Sequence, residues 1–416
     1  MREGHRSTAI SDTWWEQKLA QIPKRIARSG TVLSRERCQN VENRGVDVLP
    51  LIGSPRFPPV AHVVEAVTRA ASLNVLPPAN GSIELRAAIA AKLSRKNGIT
   101  ANPEKEILVT NGAKQALHVV LTALLNSGDE VVFPTPSYVY EGTIELAGGI
   151  PRPILMSEAD GYRWDVEKLG RAITARTKVL LLNNPMNPTG FVADGEDLRR
   201  ITDLADRHNL VVIMDEAHEA LIYDGRPHLS LGAISQAAAR TVTVHSMSKG
   251  CNLMGHRIGY VVGPAVVVDC ATKVLEWESL SNNFLSQAAA LAVLNGPQGW
   301  IDAMVAHCQE NRNRINEAIE HTEGLSVVPP NGGVGHFINI SRLGMGAEET
   351  SDRLLMEYGL PTDPGPVFGE AHHIRFEGVG SPKELVDQAL DRLQQACAKF
   401  RSEAQRSPIE FLQPAG

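Results

Sequence analysis

The chain has 416 residues, 41 Lys and Arg against 47 Asp and Glu, a net charge of −6, 43% hydrophobic residues and a mean hydropathy of −0.13. That length supports two or three compact units with real cores and excludes a small disulfide-stapled scaffold. No apolar run approaches the roughly 20 residues of a membrane-crossing helix, and scattered basic residues on an acidic chain leave no electrostatic footprint for nucleic acid, so neither is expected as a partner.

In chain order, residues 14–26 form an amphipathic stretch containing Trp14 and Trp15, followed by a polar segment to Val46. This first part is expected to be an arm rather than core. From about residue 51, helix and strand patterns alternate. Residues 81–96 carry apolar side chains at helical spacing and stop at Asn97-Gly98, and residues 107–110 are a short apolar run opening into Asn111-Gly112. Apolar runs recur at 130–134, 179–183, 210–214, 241–245 and 258–262, with helical stretches such as 197–208 between several of them. Strands apolar throughout, rather than alternating, are buried on both faces, which predicts a mostly parallel sheet sandwiched by helices.

Beyond a helical region at 285–319, strand patterns at 325–328, 336–340 and 374–377 and a long amphipathic helix from 383 to about 404 predict a second, smaller α+β unit. The tail after Arg406 is polar and contains proline. The five cysteines, Cys38, Cys251, Cys270, Cys308 and Cys397, are odd in number and lack a C-x-x-C pair, so they are expected to be reduced, with no metal site. The first residues, MREGHRSTAISDTWWEQKL, lack the apolar core of a secretion signal, and the expected location is the cytoplasm.

Ligands of doubly wound α/β folds sit at the carboxyl ends of strands, and four such ends are unusual: 110–114, 183–190, 215–218 and 245–249. Lys249, just past a buried strand and beside Ser246 and Ser248, is placed where low dielectric favours the neutral amine that a Schiff base requires. Asp215 ends a buried run, and a carboxylate there needs a cation, a metal or several donors. No cluster with metal spacing accompanies it, and a ligand with a protonated ring nitrogen would satisfy it. Gly112, Ala113 and Lys114 open a helix, so their amides and the helix dipole form an anion site. With Ser246, Ser248 and Arg257 they offer amides, hydroxyls and a guanidinium to one phosphate.

The segments NNPMNPTG (183–190), DEAH (215–218), SMSKGCNLMGHRIGY (246–260), TNGAKQAL (110–117), PTPSYVY (134–140) and PGPVFGEAHHIRF (364–376) resemble a class I/II aminotransferase of the fold-type I family that uses pyridoxal 5′-phosphate. The resemblance runs from about residue 47 to residue 400. It implies a large coenzyme-binding α/β domain with a mostly parallel seven-stranded sheet over 51–295, a small α+β domain over 296–416, and an arm over 1–50 that contributes to the small domain. Lys249 would carry the coenzyme as a Schiff base and shuttle the proton between Cα and C4′, while Asp215 would pair with the pyridinium nitrogen. Asn187 would donate to O3′. Gly112, Ala113, Lys114, Ser246, Ser248 and Arg257 would hold the phosphate, and Tyr138 would stack on the ring. Arg375 would grip the substrate α-carboxylate, helped by Asn187 and the backbone near Gly53.

The family pattern is broken at two places. His218 stands where a tyrosine usually reaches O3′; imidazole can still donate, and its charge is expected to change near neutral pH. Leu76 stands where a tyrosine usually reaches the neighbouring subunit's phosphate. The resemblance implies a homodimer with shared active sites that moves an amino group from an L-α-amino acid to a 2-oxo acid. The alternative is a β-eliminating or decarboxylating enzyme acting on a cysteine-like or specialised amino acid; His218 resembles the DEIH pattern of cystathionine β-lyases. A pyridoxal-binding regulatory module is disfavoured, because the first fifty residues are too short and too little basic for a DNA-binding segment. No second arginine marks a dicarboxylate substrate. Trp14, Trp15, Trp277, Glu278, Asn282, Asn283 and His336 are candidates for a side-chain pocket, with core packing the competing expectation for the tryptophans.

Overall fold

A computed structural model describes residues 12–51, 54–55, 57–138 and 140–406. Its centre is a seven-stranded sheet of β1 (Ile107–Thr110), β2 (Glu130–Thr135), β3 (Ile150–Leu155), β4 (Thr177–Asn183), β5 (Val211–Asp215), β6 (Thr241–Ser246) and β7 (Gly259–Val262), in the order β1-β7-β6-β5-β4-β2-β3. Strands β2 to β6 pair in parallel, and β7 runs antiparallel to both β1 and β6. Reversal of β7 alone leaves the carboxyl ends of β1, β4, β5 and β6 on one edge.

Helices cover both faces, which is why the strands are apolar without alternation. On one face the helices Ala113–Leu124 and Ala265–Ser279 bury Leu117, Val120, Leu121, Ala271 and Leu275 against Val131, Leu181, Ile213 and Val244. On the other, the helix Gly195–Arg207 buries Leu198, Ile201 and Leu204 against Leu180, Leu182, Val212 and Met214. Its start is set by a capping box between Asp194 and Asp197. Each fully buried Leu, Ile or Val side chain contributes on the order of 1.5–3 kcal/mol. The edge strand β3, IPRPIL, is not apparent as an apolar run, because it is only partly buried and contains two prolines and Arg152.

A second sheet, antiparallel throughout, orders β8 (Ser326–Val327), β9 (Gly335–Asn339), β10 (Asp363–Pro364) and β11 (His373–Glu377) as β10-β11-β9-β8. The helices Gly299–Glu320, Ala347–Tyr358 and Lys383–Arg406 close over Ile338, Ile374 and Phe376. Strand period two turns Ile374 and Phe376 into this core and His373, Arg375 and Glu377 to the opposite face. The register sets Arg375 opposite Asp363. Residues 30–42, expected within an arm, form the helix Gly30–Glu42, whose Val41 packs on Val48 and Leu355. Among the described residues, no helix is long and apolar enough to cross a membrane.

Candidate active site

The carboxyl-end edge of the large sheet opens into a cavity of about 680 Å³. Ala113, Lys114, Tyr138, Asn187, Asp215, His218, Ser246, Ser248, Lys249, Arg257 and Arg375 all line it. Residues spread over more than 260 positions thus converge, because each follows a strand that ends at this edge or, for Arg375, lies on the outward face of β11. Gly53 lies outside the described residues.

Lys249 follows β6, and its Nζ donates to Ser54 Oγ at 2.8 Å. Burial lowers its pKa to about 8; the Glu377 carboxylate opposes this shift, and Arg375, Arg35 and Arg257 add to it. About a tenth of the amine is therefore neutral at pH 7, against less than about a thousandth for an ordinary lysine. Asp215 ends β5, where its Oδ1 accepts from the Ala217 amide at 3.0 Å and its Oδ2 from the Tyr140 hydroxyl at 2.9 Å. Burial raises its pKa against these two donors and the charge of Lys114. The carboxylate is thus poised for a cationic partner from the cavity.

Gly112 caps the helix Ala113–Leu124 at φ +83°, and a Cβ there would lie 2.8 Å from Arg257 Nη2. Only glycine lets the guanidinium approach the helix amides so closely. Gly259 lies between Thr110 and Ser246, and its own Cβ would meet the His245 carbonyl oxygen at 2.6 Å and the Ala113 nitrogen at 2.8 Å. The Ser248 amide donates to Ser246 Oγ at 3.1 Å, fixing the loop that carries both hydroxyls. Helix amides, two hydroxyls and a guanidinium therefore line one cavity with the donors an anion needs.

Tyr138 lies edge-on to Tyr140, with centroids 5.9 Å apart, and Lys114 Nζ sits 5.1 Å from the Tyr138 ring centre. The Asn187 backbone amide donates to Asn183 Oδ1 at 2.7 Å, and its side-chain Oδ1 accepts from Arg375 Nη1 at 3.3 Å. His218 lines the cavity as expected, but it does not titrate near neutral pH. Burial, with Lys249 and Arg375 adding, lowers its pKa to about 3, so the imidazole is neutral and its buried Nδ1 has no hydrogen-bond partner among the described residues.

The candidates for a side-chain pocket are not borne out in this chain: none of Trp14, Trp15, Trp277, Glu278, Asn282, Asn283 and His336 lines the cavity. Trp277 is 93% exposed, so core packing is not its role either, and Trp14 and Trp15 are also exposed. Asn282 is buried on the Val109 carbonyl and His336 on that of Arg312. Leu76 is 71% exposed. The cavity wall is instead completed by the helix Gly30–Glu42, through Arg35 and Cys38, and by Asp363 and Glu377. Glu377 was recoverable in principle, being two residues past Arg375 on one strand face; Asp363 depends on sheet register, and Tyr140 on a turn.

Behind the site, Glu216, Glu219, Lys92, His245, Tyr260, Asn97 and Ser230 form a buried polar network. Lys92 Nζ donates to Glu219 and, at 3.1 Å, to Tyr260; Asn97 donates to Glu219 at 2.6 Å, and Ser230 to Glu216 at 2.5 Å. Burial opposes ionisation of Glu219, but the Lys92 charge holds it well below the ordinary carboxylate range. Burial and the Glu219 charge push Glu216 well above it.

A buried low-pKa amine, a buried carboxylate awaiting a cation and a glycine-lined anion cradle within one cavity are the donor set that pyridoxal 5′-phosphate requires, so the residues present fit that coenzyme. The family profile of aminotransferase class I and II matches residues 51–393. The aspartate aminotransferase of Pyrococcus abyssi is 34% identical over 356 residues, covering 84% of this chain and 91% of that protein. The aspartate/prephenate aminotransferase of Thermus thermophilus is 34% identical, covering 88% and 94%. Among solved structures, the Thermus thermophilus aspartate aminotransferase with maleate superposes with a TM-score of 0.86 at 32% identity, over 91% of this chain and 99% of that one. The aromatic aminotransferase from Pyrococcus horikoshii superposes at 0.82 and 32% identity, over 87% and 99%. Sequence and fold agree over the whole catalytic body: the chain belongs to the class I and II aminotransferases, enzymes dependent on pyridoxal 5′-phosphate.

Proposed function

We propose that this cavity transfers the amino group of an L-α-amino acid to a 2-oxo acid, with Lys249 as the residue that carries the coenzyme and moves the proton. The observation that carries the reading is the Lys249 amine, buried and lowered to about 8 in the same cavity as Asp215. The coenzyme supplies, when bound, an aldehyde for amine exchange and a ring that accepts electrons from Cα.

The chain's own residues do the rest. Asp215, whose carboxylate accepts from the Tyr140 hydroxyl and the Ala217 amide, would pair with the ring nitrogen. The amides of Gly112 and Ala113, Lys114, Ser246, Ser248 and Arg257 bind the phosphate. Asn187 and His218 would meet the ring hydroxyl, and Tyr138 would cover the ring. Lys249 would hold the coenzyme aldehyde, and its amine, once freed, would serve as the base that accepts and returns the substrate's Cα proton. Arg375 would orient the α-carboxylate, with Asn187 beside it. Residues 51–295 would hold the coenzyme and 296–416 close the substrate side, with residues 1–50 as the arm. The working unit is a cytoplasmic homodimer with shared sites.

The test is a half-reaction. Purified holoenzyme given a single amino acid should convert its coenzyme to the amine form, and an added 2-oxo acid should reverse this. Release of pyruvate and ammonia with no oxo acid present would overturn the reading in favour of elimination.

A further inference from the structure

Arg375 does not present an open fork. Its Nε and Nη2 donate to Asp363 Oδ2 at 3.0 and 2.6 Å, and its Nη1 lies 3.0 Å from Glu377 Oε1 and 3.3 Å from Asn187 Oδ1. A guanidinium has five N–H donors, so one Nη2 hydrogen has no partner among the described residues. Two carboxylates on one guanidinium leave the trio with a net charge of −1. Asp363 is only 8% exposed, and its Oδ1 has no hydrogen-bond partner among the described residues; nor has Glu377 Oε2. Both acids line the cavity that contains Lys249.

A substrate α-carboxylate at Arg375 is thus the third anion on one buried cation. Three further arginines line the cavity, of which Arg257 belongs to the anion cradle. Arg37 is paired with Asp352, and Arg35 is exposed, with no ion pair among the described residues. With Arg257 and Lys114 reserved for the coenzyme phosphate and Lys249 for its aldehyde, the cations this chain leaves at the Arg375 end, Arg375 and Arg35, only balance Asp363 and Glu377, and the α-carboxylate adds an uncompensated charge there. An acidic substrate side chain adds a second one beside the buried Asp363 and half-buried Glu377; a cationic side chain removes the first.

We propose that the amino-acid donor of this site carries a cationic side chain, a guanidinium or a primary ammonium, recognised by Asp363 and Glu377. The inference rests on the amino-transfer reading above but concerns the substrate's side chain, which that reading leaves open. Charged pairs that are partly shielded from water discriminate by sign, since the wrong charge meets repulsion as well as a lost contact.

The holoenzyme is given L-arginine, L-ornithine, L-lysine, L-leucine, L-phenylalanine or L-aspartate singly, and both the coenzyme spectrum and consumption of the amino acid are followed. At least one cationic donor is expected to exceed the best neutral or acidic donor in kcat/KM by about tenfold or more. Glu377→Gln and Asp363→Asn should each shrink that ratio by roughly tenfold while retaining the visible coenzyme band, a change of selectivity that a merely structural role would not produce. Preference for aspartate or a neutral donor, or a ratio unchanged in both variants, overturns the proposal and leaves amino transfer standing. Consumption of a cationic amino acid without the amine form of the coenzyme upholds the substrate class and overturns amino transfer. If no amino acid is consumed, both fall.

Discussion

The hydroxyl of Tyr140 donates to Asp215 Oδ2 at 2.9 Å, and the pair is buried at the end of β5. Burial holds the phenol well above its ordinary pKa, with the charge of Asp215 adding to the effect, so Tyr140 acts only as a donor. Burial raises the Asp215 pKa, and the phenol and the Ala217 amide oppose that rise by donating to the carboxylate.

Tyr140→Phe should therefore weaken the partner of the coenzyme ring without emptying the site. A hydrogen bond to a charged group is worth about 1.5–3 kcal/mol, equivalent to roughly a 10- to 100-fold effect. Loss of the phenol raises the proton affinity of Asp215, which draws the shared proton away from the ring nitrogen. A drop of about tenfold or more in kcat with little change in KM is expected, and steady-state kinetics with a shifted pH titration of the visible band check it. Unchanged kcat would remove Tyr140 from the machinery.

The Lys249 pKa of about 8 sets a pH dependence with a definite sign. The neutral amine is the reactive form, so the rate at which apoenzyme takes up pyridoxal phosphate should rise with pH through about 8 and level off above it. An ordinary lysine would still be rising at pH 10. Lys249→Ala should abolish fixation of the coenzyme by borohydride, read by intact mass.

Gly259→Ala places a methyl against the His245 carbonyl, the Ala113 nitrogen and the Gly112 carbon, all within 3.0 Å and all backbone. Backbone cannot swing aside as a side chain can, so the β1–β7–β6 junction must spread and carry the anion cradle with it. Destabilisation of roughly 1–3 kcal/mol is expected from overpacking, with weaker coenzyme retention. Urea unfolding and coenzyme dissociation during dialysis measure the two effects.

Lys92→Met removes the cation beside Glu219 in the buried network behind the sheet. An uncompensated buried carboxylate typically costs about 3–5 kcal/mol, and the paired change Lys92→Met with Glu219→Gln should recover much of it. Chemical denaturation of the single and double variants tests this; equal stability of Lys92→Met and the parent chain would contradict the ion pair.

Much of this was legible from local pattern. Runs of apolar residues ending in Asn183, Asp215 and His245-Ser246 announce buried parallel strands and the side chains at their mouths, because strand burial and strand ends are short-range properties of the chain. The lysine, the carboxylate, the phosphate cradle and Arg375 could accordingly be named by residue.

Contacts set by register and burial were not legible. Asp363 meets Arg375 only because β10 pairs with β11, and Glu377 joins them because β11 turns alternate residues toward the cavity. The helix Gly30–Glu42, expected within an arm, forms part of the cavity wall. His218, by residue type a switch near neutral pH, is held neutral by the low-dielectric surroundings the fold builds around it. The linear order of residues thus determined which groups stand at the strand ends, since that depends on hydrophobic runs of a few residues. Three-dimensional packing alone decided their charge states and partners, since electrostatic energies depend on distance and solvent exclusion between residues far apart in the chain.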